Sequence, residues 1–60
     1  MYYVYLDEKL MDVFEDDTEA MCYVYELKDM YYRGGDRVLI DVYKEEEDGT
    51  LSLVFGEEVI

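Results

Sequence analysis

Near residue 15 the spacing of the apolar residues changes from two to about 3.6, and near residue 37 it changes back. In a chain of 60 residues, that double switch leaves room for few folds. Tyr2 to Leu6 alternates, with Tyr2, Val4 and Leu6 on one face and Tyr3 and Tyr5 on the other. After DEK, the stretch from Leu10 to Phe14 resumes as a second strand. With Glu8 and Lys9 as the central turn residues, Leu6 faces Met11 and Val4 faces Val13. A slip of one residue would bring Asp12 onto the apolar face, so this register is the expected one.

In FEDDTEAM the pattern becomes helical. Asp16 or Asp17 can cap the helix, and Asp16 with Glu19 has capping-box spacing. Ala20, Val24, Leu27 and Tyr31 then follow at i, i+4, i+7 and i+11, with Tyr23 and Met30 at the margin of the stripe. Arg33 and the pair Gly34–Gly35 end it, a cation in the last turn followed by residues suited to a left-handed cap. The tripeptide YVY thus occurs once in a strand and once in a helix, decided each time by its neighbours. RVLIDVYK predicts a third strand, with Val38, Ile40 and Val42 on one face and Leu39, Asp41 and Tyr43 on the other. TLSLVF predicts a fourth, with Leu51, Leu53 and Phe55 inward and Ser52 and Val54 outward. EEDG, with Gly49 left-handed, reads as a four-residue hairpin loop that pairs Val42 with Leu53 and Ile40 with Phe55.

The expected fold is therefore α+β: a ββαββ chain whose four-stranded antiparallel sheet has the order 2-1-3-4, with one helix packed on one face. Residues 1–60 form a single small domain. Such a chain buries only about 60% of its unfolded surface, so its stability is expected to be marginal. Cys22 has no second cysteine to pair with, and the chain has no histidine, which argues against disulfide or zinc reinforcement. Cys22 itself reads as a small space-filling residue. One free thiol makes a reducing cytoplasm the expected setting. No basic region leads into an apolar core at the N-terminus, and no stretch is long and apolar enough to span a bilayer.

Seventeen Asp and Glu against five Lys and Arg give a formal net charge of −12. That balance repels nucleic acid and anionic membranes and favours a basic protein surface as partner. Catalysis is poorly supplied, without histidine and without an activating partner for Ser52, Thr18 or Thr50, so no enzyme and no cofactor is expected. An EF-hand frame placing Gly49 sixth would put Lys44 first, and a Gly35 frame would begin at Met30; neither fits, so no metal site is expected.

Two surfaces remain. In the proposed topology the run Glu15, Asp16, Asp17, Glu19 follows strand two, and the run Glu45, Glu46, Glu47, Asp48 follows strand three. Both should meet at one end of the sheet, with Lys44 among them. Asp7, Glu8, Asp36, Glu57 and Glu58 should lie at the other end, tempered by Lys9, Arg33 and Arg37. The second surface is the sheet face without a helix, expected to carry Tyr3, Tyr5, Phe14, Leu39, Tyr43 and Val54. An uncovered apolar face of that kind marks an interface. Base stacking on it is opposed by the charge.

The first expectation is an acidic protein-binding module whose carboxylates mimic nucleic-acid phosphates and block a basic, nucleic-acid-binding protein, acting as an inhibitor. The alternative is a homodimeric accessory protein that uses the tyrosine face, its acidity serving solubility. In size and charge the chain is similar to small acidic phage and plasmid proteins that occupy DNA-binding surfaces. That likeness is one of composition, and no family motif is matched.

Overall fold

The computed structural model describes residues 1–35 and 37–59, so Asp36 lies outside the described residues. The elements follow in the order β1 (Tyr2–Leu6), β2 (Lys9–Phe14), α1 (Asp17–Gly34), β3 (Val38–Glu45) and β4 (Leu51–Val59). The strands form one antiparallel sheet in the order β2-β1-β3-β4, as the sequence predicts, and α1 packs on one face. Among the described residues no helix is long and apolar enough to cross a membrane.

The core lies between α1 and the two central strands. Val4 and Leu6 from β1, Val38, Ile40 and Val42 from β3, and Ala20, Val24 and Leu27 from α1 are buried, with Val59 closing one end. Burial of each larger aliphatic side chain contributes about 1.5–3 kcal/mol, so these few residues supply most of the driving force. The helix starts at Asp16, whose carboxylate accepts the Thr18 amide at 3.0 Å. No bond returns from Glu19 to the Asp16 amide among the described residues, so the cap is a single aspartate. The helix stops at Gly35, left-handed at φ 75°, whose amide reaches the Tyr31 and Tyr32 carbonyls. Cys22 lies exposed on α1, off the stripe of Ala20, Val24 and Leu27, so it is not the space-filling residue expected.

Both edge strands depart from the expected registers. The β1–β2 turn is Asp7–Glu8, with both residues at positive φ (49° and 69°), so Leu6 faces Lys9 and Val4 faces Asp12. This two-residue turn has the twist that hairpins favour. Its position is fixed by Asp7, which continues the central ladder: its amide donates to the Leu39 carbonyl at 2.8 Å, and its carboxylate accepts the Leu39 amide at 2.9 Å. Met11 is the extra residue of a bulge, after which Tyr3 faces Val13 and Tyr2 faces Phe14. Phe14 consequently turns to the helix side, its ring 5.4 Å from that of Tyr23.

The β3–β4 hairpin pairs Val42 with Phe55 and Ile40 with Glu57, two residues beyond the expected partners. Its loop is three residues, Glu47, Asp48 and Gly49. The Glu46 amide donates to the Thr50 carbonyl at 2.7 Å, and the Gly49 amide donates to the Glu46 carbonyl at 3.0 Å. Gly49 sits at φ 88°, the left-handed position such a loop requires. A second bulge makes Val54 the unpaired residue. Leu51 and Leu53 therefore share the open face with Glu45 and Tyr43, whereas Val54 borders the helix side beside Ala20 and Met21.

Candidate functional site

Two surfaces carry chemistry, and each is built from both halves of the chain. At one end of the sheet, Phe14 and Lys44 both pair with Tyr2, one on either side. Strands about 4.8 Å apart put the exits of β2 and β3 about 10 Å from each other. The run Glu15–Glu19 and the run Glu45–Asp48 therefore leave the same end. Asp17 and Lys44 line one depression there with Tyr2, Ala20, Met21 and Val54.

Several of these carboxylates serve the backbone. Asp16 caps α1, and Asp17 and Glu19 lie in its first turn, where the helix dipole favours negative charge. Asp48 accepts the Thr50 hydroxyl at 2.7 Å and the Thr50 amide at 3.1 Å, which holds its carboxyl below the usual aspartate value. Glu45 accepts a long hydrogen bond (3.4 Å) from the Tyr3 hydroxyl. Withdrawal from water, and then the Glu45 charge, hold that hydroxyl above the usual tyrosine value. Glu15, Glu46 and Glu47 have no side-chain partner among the described residues. No three Asp, Glu or Cys side chains converge into a metal-holding group among them.

The second surface is the sheet face without the helix. It carries Tyr3, Tyr5, Leu39 and Tyr43, as the alternation predicts. Phe14 and Val54 do not lie on it, for the reasons of register given above. Leu10, Val13, Leu51 and Leu53 take their place, opposite Tyr5, Tyr3, Glu45 and Tyr43. Leu10, Leu51 and Leu53 are 46%, 47% and 58% exposed, so the face is more apolar than expected. The signals for this exchange are in the two turns: a two-residue turn at DE and a three-residue loop ending at Gly49 each shift the strand that follows.

Cations are mostly committed elsewhere. Arg37 pairs with Glu58, Lys28 with Glu57, and Arg33 with Asp29 at 3.1 Å along α1. The acids expected at the far end are thus partly neutralised, while the near end keeps its charge.

No protein-family model matches the chain, and no curated protein or solved structure is detectably similar to it.

Proposed function

We propose that this chain is a non-enzymatic protein-binding module that blocks the nucleic-acid-binding surface of a basic partner protein, its acidic end standing in for phosphates. The observation that supports this reading is the exit of two carboxylate runs, thirty residues apart in sequence, from one end of the sheet. Asp16 and Asp48 have backbone work there, but Glu15, Glu46 and Glu47 repel one another with no return to the fold. Uneven charge of this kind favours association with an opposite surface and sets its rate. A reducing cytoplasm suits the exposed thiol of Cys22.

The test is a pull-down with the immobilised chain. The proposal expects recovery of a nucleic-acid-binding protein that free DNA or RNA displaces, with affinity falling steeply between low and physiological salt. The triple substitution E45Q/E46Q/E47Q should abolish recovery; undiminished recovery sinks the reading.

The four exposed leucines of the open face favour a second reading, a homodimer closed through that face. Sedimentation would then give twice the chain mass, and Tyr5→Lys or Tyr43→Lys would return it to one. A monomer at high concentration removes this alternative.

A further inference from the structure

Strand β3 carries one carboxylate through the middle of the open face. Asp41 stands between Tyr5 on β1 and Gly56 on β4, with Leu39 and Tyr43 before and after it on the same side. Gly56 leaves space that the carboxylate uses, since a Cβ there would come within 2.9 Å of Asp41 Oδ1. The Tyr5 and Tyr43 rings meet edge to face, 5.5 Å between centroids. Tyr5, Glu8, Asp41, Tyr43 and Leu51 together line a notch of about 290 Å³. Among the described residues neither Glu8 nor Asp41 has an ion-pair or side-chain hydrogen-bond partner. The chain's own cations do not supply one: Lys28, Arg33 and Arg37 are paired elsewhere, Lys9 lies opposite Leu6, and Lys44 lines the helix-side depression.

The other side of the sheet shows what such a donor set does when a cation is present. There the Lys28 ammonium pairs with Glu57 and lies 5.6 Å from the Tyr25 ring centroid and 6.0 Å from that of Phe55. A carboxylate flanked by aromatic faces holds a cation on the helix side; the same chemistry faces outward, without one, on the open side.

We infer that the notch formed by Asp41, Glu8, Tyr5 and Tyr43 receives an arginine side chain of the basic partner. Arginine fits best among cations because its planar guanidinium stacks on tyrosine while its parallel N–H groups engage a carboxylate. An aromatic-walled pocket at the centre of an apolar face is also where binding energy concentrates in protein interfaces. A second copy is the poorer occupant, because closing two such faces would bury Asp41 in each with no cation to meet it. Nucleic acid would bring phosphate against the same carboxylates. The inference rests on the partner being basic, as proposed above, but it concerns a different surface and can be tested without the partner.

The experiment titrates the isotopically labelled chain with N-acetyl-L-argininamide at low salt and follows backbone amide shifts. Saturable shifts confined to Tyr5, Glu8, Asp41 and Tyr43 are expected, and the neutral isostere N-acetyl-L-citrullinamide should give none. Asp41→Asn should weaken binding about tenfold, the scale of one charge-assisted hydrogen bond. Tyr5→Leu, which keeps an apolar side chain, should weaken it several-fold. Glu26→Gln, an equal change of net charge on the helix, should leave it unaltered. Absence of saturation, equal binding of the citrulline compound, or an Asp41→Asn affinity equal to wild type would overturn the notch as an arginine site. Those outcomes would leave the acidic end to be judged by its own pull-down.

Discussion

Glu8 holds φ at 69° in the second position of a two-residue turn, a place where glycine is strongly preferred. A side chain with Cβ costs roughly 1–2 kcal/mol in that conformation. Replacement by glycine should therefore raise stability by about 1 kcal/mol, or about 4–8 °C in Tm for a domain of this size. Thermal unfolding followed by circular dichroism checks this, and an unchanged or lower Tm would contradict the strain. The strained residue is also one wall of the open-face notch, which gives a reason to keep it. Asp48 makes the second prediction at this scale. Its folded carboxyl titrates below the usual value because Thr50 donates to the charged form, so the loop gains stability above the ordinary aspartate pKa. That gain disappears as pH falls through the lower, folded value. A pH titration of the Asp48 carboxyl by NMR should give a midpoint below the ordinary 3.8, and Thr50→Val, which removes the hydroxyl but keeps the amide donor, should bring it part of the way back.

Among the elements, α1 is set by local chemistry, whereas the edge strands are not. Its cap, stripe and stop are all written locally: Asp16, then Ala20, Val24 and Leu27, then Gly35. Asp16→Ala should cost about 1 kcal/mol, measurable by urea unfolding; a loss under a few tenths would mean the cap contributes little. Strands β1 and β3 are equally legible, because Val4, Leu6, Ile40 and Val42 are buried and a one-residue slip would expose all of them. Strands β2 and β4 lie at the edges, exposed along most of their length. Little burial energy distinguishes their registers, so the turns and bulges decide. That is why Phe14 and Val54 moved to the helix side and Leu51 and Leu53 came to the open face.

Over the whole molecule the net charge of −12 acts on a body 38 Å in its longest dimension. At 0.01 M ionic strength the Debye length is about 30 Å, so most of the carboxylates repel one another; at 1 M it is about 3 Å. Added NaCl should therefore raise Tm, and the steepest gain should come at the lowest concentrations. A Tm that falls with salt would show the three ion pairs among the described residues outweighing the excess of acid. Self-repulsion of this size is a standing cost to a domain whose core is nine described residues, and a basic partner would relieve it. The acidic end was legible in outline, since it depends only on β2 and β3 running the same way. The notch was not, because its Glu8 and Leu51, and the Gly56 that leaves room for its Asp41, take their places through turn positions and a bulge.

The sequence by itself determined the element order, the order of strands in the sheet, the limits of α1 and the central core. Each follows from burial or backbone geometry that no neighbouring element can override: two alternating strands with one apolar face, one helical stripe, one left-handed glycine. Tertiary structure decided which side of the sheet the edge residues occupy. Asp7 locks onto Leu39 across 32 residues, and the two bulges then carry Phe14, Leu51, Leu53 and Val54 to faces that alternation alone assigns differently. The physical reason is that an edge strand half in water gains little from either face, so hydrogen bonds made at its turns settle the choice.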